Sequence, residues 1–216
     1  MTSRDTILQR IRSEVSKGPH VERPPVPEVW PRNNPTPDAM AGQFSKELTE
    51  VHGEVIHCAT METARRQLAE LVSQAKWTSL AVMDRPNARD VVATMPTDMI
   101  HFAADDWQPR QISEFSASVI EPEMLLADTG SCVIACPTPQ DRLLCYLPPA
   151  CVVIAKVEQL AEHLPAAWEK LVPRIADPNT RGEFVIVTGP SRTADIEKIL
   201  ILGVHGPKRL VVILVG

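Results

Sequence analysis

Three short stretches hold residue types that could do chemistry. In A-D-T-G-S, residues 127–131, the carboxylate of Asp128 stands beside Thr129 and Gly130. Asp128 could be a reactive carboxylate next to a glycine that lets a substrate approach the backbone. The same three residues could also form an ordinary turn.

The second stretch, T-G-P-S-R-T-A-D-I-E at 188–197, follows an apolar run that reads as a strand. Gly189 and Pro190 end that strand, and Ser191 or Thr193 offers an oxygen to the first free amides of an expected helix over 194–202. Free amides, two hydroxyls and the guanidinium of Arg192 would together suit a phosphate or a carboxylate. Asp195 and Glu197 act in the other sense, because acids in a first turn already complement the helix dipole and repel a second anion. An anion cradle and a capped corner both remain open.

The third stretch, G-V-H-G-P at 203–207, sets His205 and Gly206 just before a final apolar run. His205 could donate to the same ligand or act as an acid or base, or simply bond the backbone of its turn.

Several chemistries are excluded by spacing. The 188–197 stretch lacks the Gly-Lys-Ser/Thr ending of a P-loop and is not G-x-G-x-x-G, and no G-x-S-x-G elbow exists for a serine hydrolase. Cys132 and Cys136-Pro137 match the tail of a bacterial ferredoxin motif without its upstream cysteines. No zinc-type pairing or H-E-x-x-H is present, so no metal is expected. On a strand, Cys132, Ile134 and Cys136 face one way, as small buried hydrophobes do.

With 216 residues the chain is long enough for one medium domain with a substantial core. A net charge of −5 provides no global positive field for nucleic acid or anionic membrane. No apolar run is long enough to span a bilayer, and the first residues carry charges where a signal peptide needs an apolar stretch. Five cysteines, an odd number, fit a reducing compartment, so the expected location is the cytoplasm.

The elements that must position these residues follow from periodicity. Ile7, Leu8, Ile11 and Val15 form one face of an N-terminal helix, and a proline-dense arm follows from 19 to 37. Residues 1–37 are therefore read as an appended arm and 38–216 as the domain. Asp38 is the expected cap of a helix carrying Met40, Phe44, Leu48 and Val51, and a strand over Glu54–Cys58 comes next. Thr60 opens a second helix with Ala64, Leu68, Leu71 and Val72 on one side.

Further strands are expected at 79–84, 118–120, 129–136, 151–157, 184–188 and 210–215, with a helical turn between 120 and 129 and a helix over 158–171. Residues 85–117 show no clear pattern. Apolar strands alternating with amphipathic helices describe a largely parallel sheet covered on both faces. Ligands of such folds sit at strand carboxyl ends, which directs attention to the loops after 83, 120, 136 and 187.

Taken in order, A-D-T-G-S, T-G-P-S-R-T-A-D-I-E and G-V-H-G-P, with I-L-x-R-I-R at 7–12, resemble the lactate-utilisation protein C family over most of the chain. The resemblance implies an α/β/α sandwich similar to the sugar-phosphate isomerase and CoA-transferase-like group. It also implies work beside two iron-sulfur partner proteins in oxidising L-lactate to pyruvate, with the clusters on those partners and no cofactor on this chain. The family's motif positions fall on Asp128, Thr129, Gly130, Ser191, Arg192, Thr193, Asp195, Glu197, His205 and Gly206. Asp128 and His205 would be the reactive groups and the others would bind ligand. Asp128 stands where the family often carries the longer glutamate. Two functions follow as expectations: an accessory or substrate-binding subunit of a lactate-oxidising system, or a stand-alone enzyme for a small anion, acyl-CoA or sugar phosphate.

Overall fold

The computed structural model describes residues 3–17, 30–175, 183–194, 200–202 and 205–216. The chain divides into two compact units, Met1–Pro31 and Arg32–Gly216. In the first, helix α1 (Ser3–Val15) forms as its periodicity requires, and its stripe of Ile7, Leu8, Ile11 and Val15 is exposed. Most of the proline-dense arm lies outside the described residues.

The second unit begins with α2 (Pro37–Glu50), β1 (Glu54–Cys58), α3 (Met61–Ala75) and β2 (Leu80–Val82). It continues with α4 (Pro86–Val92), β3 (Ile100–Phe102), α5 (Pro109–Ser113), β4 (Ala117–Ile120), β5 (Met124–Leu126) and β6 (Ser131–Ala135). Then come α6 (Pro139–Leu144), β7 (Ala150–Lys156), β8 (Leu160–Ala161), α7 (Leu164–Ile175), β9 (Phe184–Val187), β10 (Arg192–Ala194), β11 (Leu200–Leu202) and β12 (Arg209–Val215).

The main sheet has six strands in the order β1-β12-β7-β4-β2-β3, and every pairing in it is parallel. Its central strands are apolar on both faces because both faces are covered. Leu210, Val212 and Leu214 of β12 point into a core shared with Phe44 and Leu48 of α2, Ile112 of α5 and Leu144 of α6. Val211, Ile213 and Val215 point the other way, against Leu68 of α3 and Val91 of α4. This is the expected α/β sandwich with a largely parallel sheet. Thr60 caps α3 as expected, accepting from the Thr63 amide at 3.2 Å.

A second, four-stranded sheet, β8-β5-β6-β9, packs on the α2 side. Leu125, Cys132 and Ile134 face the main core, while Met124, Leu126 and Val133 face Ala167 and Leu171 of α7. Here β5 and β9 run antiparallel to β6, and β5 runs parallel to β8.

Several local expectations are corrected. The cap of α2 is Thr36, not Asp38: Pro37 needs no hydrogen-bond acceptor and its fixed φ suits the first helical position. The helical turn expected after 120 is instead β5, half of a hairpin with β6, because Met124, Leu125 and Leu126 are all buried between two layers. The helix expected over 158–171 begins only at Leu164. Leu160 and Ala161 form β8 beside β5, and Trp168 is exposed because the buried face of α7 is set by Ala167 and Leu171.

The helix expected over 194–202 is not formed at its described positions. Arg192, Thr193 and Ala194 pair antiparallel with Leu202, Ile201 and Leu200, and residues 195–199 lie outside the described residues. The stretch contains Thr193, Ile196, Ile199 and Ile201, whose branching at Cβ favours extended backbone over helix.

Candidate functional site

The three motif stretches, far apart in sequence, converge at the amino-terminal edge of the main sheet. The Ser191 amide donates to the Pro207 carbonyl at 2.9 Å, and the Lys208 amide donates to the carbonyl of Pro149 at 2.8 Å. Pro149 and Lys208 immediately precede β7 and β12, which fixes this cluster at the strand starts. Gly206 lies against Ser191 so closely that an added Cβ would stand 3.1 Å from the serine Cβ and 3.8 Å from the Tyr146 Cβ. Gly189 adopts φ +79° and presses on Val51, at the end of α2.

Hydroxyl groups join this cluster to the turn at 127–130. Thr129 Oγ1 lies 2.8 Å from Ser131 Oγ, which in turn lies 2.7 Å from Thr188 Oγ1. Ser131 is buried, so its hydroxyl needs these partners. Gly130 takes φ +62°, and a Cβ there would overlap the Leu48 amide nitrogen and lie 2.7 Å from the Leu48 Cα. The close backbone approach that Gly130 permits is thus that of α2. Asp128 is half-buried, with its amide donating to the Glu162 carbonyl at 3.1 Å.

His205 and Lys208 are exposed at the amino-terminal edge, whereas Arg209 is held by Glu54 through two bonds of 2.7 and 2.8 Å. Arg192 and Thr193 stand on β10, next in sequence after Ser191. Asp195 and Glu197 lie outside the described residues. The amides of 192–194 belong to a hairpin, so an anion held here would owe nothing to a helix terminus at those positions.

The carboxyl-terminal edge is different in character. From β2 the chain moves outward to β3, then returns past β2 to β4 and onward to β7, so the switch point lies between β2 and β4. Two cavities, of about 310 and 260 Å³, flank it and share Arg85. The first is lined by Asp84, Asp105, Thr138 and Asp141; the second by Glu121, Glu123, Gln159 and Arg174. These are the loops after 83, 120 and 136. The loop after 187 is not among them, because β9 belongs to the antiparallel part of the second sheet.

Most charges at this edge are already engaged. Glu121 caps α4, accepting from the amides of Asn87 at 2.7 Å and Ala88 at 3.2 Å. Asp141 and Thr138 form a reciprocal cap on α6. Glu123 pairs with Arg174 and lies 4.0 Å from Arg85. The hydrogen bond from Arg89 holds the Asp84 carboxyl below the usual carboxylate range against a smaller opposing effect of desolvation. Three carboxylates around one guanidinium disfavour an anion in the first cavity, so the amino-terminal edge is the better place for one.

Sequence reasoning missed Arg85 and Glu123, whose loops it singled out without naming the residues, and Arg174, which stands in the last turn of α7. The T-P-Q-D capping box at 138–141 was legible by its spacing. His163, buried before α7, was missed as well.

The family model described as the LUD domain matches residues 41–215. The chain belongs to the LUD domain family. The match takes in the main sheet, both edges and all three motif stretches of this LUD domain. Lactate utilization protein C of Bacillus pumilus is 24% identical over 234 residues, covering 100% of this chain and 97% of that protein. The protein of the same name from Oceanobacillus iheyensis is 22% identical, covering 99% and 98%. The crystal structure of a DUF162 family protein from Deinococcus radiodurans superposes on this LUD domain with a TM-score of 0.62 at 16% identity, covering 84% of this chain and 99% of that one. That likeness concerns the fold. Among the described residues, no helix is long and apolar enough to cross a membrane.

Proposed function

We propose that this LUD domain protein is a component of an L-lactate utilisation system. It acts beside iron-sulfur partner proteins as an accessory or substrate-binding subunit, and the clusters reside on those partners. The observation that carries the site is the joining of three separated stretches, through Ser131 to Thr188 and through Ser191 to Pro207, on an edge that presents exposed His205 and Lys208. A small carboxylate fits that edge by charge. Full-length likeness to proteins named Lactate utilization protein C supports lactate or pyruvate as that carboxylate.

In this reading Ser191, Arg192, Thr193 and Gly206 form the ligand surface with Thr129 and Gly130 behind it. Calorimetry against L-lactate, pyruvate and phosphate tests it. Binding that Arg192→Ala weakens at least about tenfold, with the melting temperature unchanged, is the expected result, since loss of a charged hydrogen-bonding partner is worth that much. Absence of binding by any of the three overturns the ligand surface.

A stand-alone enzyme is favoured by one observation: Asp128 keeps a buried carboxylate oxygen with no hydrogen-bond partner.

A further inference from the structure

The cavity of about 310 Å³ at the carboxyl-terminal edge of the main sheet is bounded by two strand ends and the start of a helix. Asp84 and Arg85 follow β2, Asp105 follows β3, and Thr138 and Asp141 belong to the first turn of α6 and its cap. Two bonds tie these pieces together. The Ala103 amide donates to the Val82 carbonyl at 2.9 Å, and Gln140 Nε2 donates to the Asp105 carbonyl at 2.7 Å. The second bond holds the loop of Asp105 against the residue that precedes Asp141.

The charges facing this space do not cancel. Arg89 engages Asp84 without lining the cavity, and Arg85 lies 4.0 Å from Glu123. Asp105 and Asp141 have no ion-pair partner among the described residues. Asp141 is only 7% exposed, and its Oδ2 takes both bonds from Thr138, at 3.3 Å from the amide and 2.8 Å from the hydroxyl. Its Oδ1 has no hydrogen-bond partner among the described residues, yet it is not sealed from solvent: the sealed, unpartnered atoms are those of Asp128 and His163. A nearly buried carboxylate oxygen therefore opens onto the cavity that it lines and lacks a donor. The remaining walls are Ala103, Ala104 and Pro137, which suit methylene groups. Among the described residues, no group of three His, Cys, Asp or Glu could hold a metal ion, so these carboxylates call for an organic cation.

We propose that this cavity binds a short aliphatic diamine in its diammonium form, with Asp141 Oδ1 accepting from one ammonium and the Asp105 carboxylate from the other. Two ammonium groups answer the two carboxylates that lack an ion-pair partner, and the methylene linker lies along Ala103, Ala104 and Pro137. Asp141 then has two functions, with Oδ2 completing the cap of α6 and Oδ1 holding ligand. The site stands at the edge opposite to the Ser191 and Gly206 surface and does not depend on what that surface binds.

The test is calorimetric titration of the full-length protein at neutral pH and low salt with 1,4-diaminobutane and with n-butylamine, which lacks only the second ammonium. Wild type binds the diamine at least about tenfold more tightly, as one further charged hydrogen bond requires. Asp141→Asn keeps an oxygen for the Thr138 hydroxyl while removing the charge, so it retains the melting temperature and brings the two affinities together. Asp105→Asn does the same and serves if the first variant does not fold, because Asp105 is exposed and its carbonyl still accepts from Gln140. Equal affinities in wild type, or no binding of either amine, overturn the inference. A diamine preference that persists in either folded variant also overturns it, since attraction to the net negative charge of the whole protein would then suffice. Displacement of the diamine by an equal concentration of Mg²⁺ overturns it in favour of a metal.

Discussion

The hydroxyl of Thr188 lies 2.7 Å from that of Ser131, joining the end of β9 to the start of β6 and the second motif stretch to the first. The two residues are 57 positions apart, and the bond sits where the buried Ser131 has no water to turn to. Thr188→Val and Ser131→Ala are each expected to lower stability by about 1 kcal/mol, with a coupling of about half that in the double mutant. Urea unfolding of the four proteins measures it. Fully additive losses would show that the hydroxyls act separately.

Two glycines near α2 should respond in opposite ways to the same change. Gly130→Ala meets the backbone of Leu48 at a left-handed φ, and a loss of more than about 2 kcal/mol is expected. Gly42 lies inside α2 with nothing within 4 Å of an added Cβ, so Gly42→Ala should stabilise by about 0.5–1 kcal/mol. Thermal unfolding of both variants separates close packing from a general intolerance of this helix to substitution.

The cysteines are core residues, and their reactivity should show it. Burial pushes the Cys151 thiol up to about 11 and raises Cys132 further, while contact with Cys136 and then burial raise Cys145. A buried thiol with little thiolate is a poor nucleophile. The native protein at neutral pH is expected to react slowly with a thiol-specific chromogenic reagent, and five thiols should react at once on denaturation. Rapid labelling of Cys132 or Cys151 without denaturant would contradict the packing.

The ion pair at the rim of the first cavity should be felt in acid. The hydrogen bond from Arg89 depresses the Asp84 pKa in the folded state. Its contribution is therefore present above the unfolded-state value and lost as pH falls through the folded one. Asp84→Asn should lower the melting temperature slightly at pH 7, and the difference should fade as pH falls through the depressed folded-state value and the wild-type carboxyl becomes protonated too. Salt should shrink the difference at neutral pH, since both side chains are half exposed.

The main sheet was legible because its strands are apolar on both faces, and runs such as L-V-V-I-L-V have few other places to go. The second sheet was not, because β5 and β8 are only three and two residues long, too short for a period to show. The β10 and β11 pair was misread for a related reason: Ile196, Ile199 and Leu200 fit a helical face, while Thr193 and Ile201, both branched at Cβ, stand opposite each other and favour strand. Asp128, Ser191, His205 and Gly206 were named as candidates from their motifs. Convergence of the motifs was not visible, since it depends on a sheet order that places β12 between β1 and β7. His163 carried only the weak signal of a polar residue just before Leu-Pro at a helix start.

The proposed role is in L-lactate oxidation together with iron-sulfur partners. It is tested most directly by tagging this chain in its own cells, identifying what co-purifies, and assaying pyruvate formation from L-lactate with the chain removed and restored. The expected result is co-purified iron-sulfur proteins, with pyruvate formation that falls to background without the chain and returns with it. Oxidation at an undiminished rate in its absence, with no associated partner, would rule that role out.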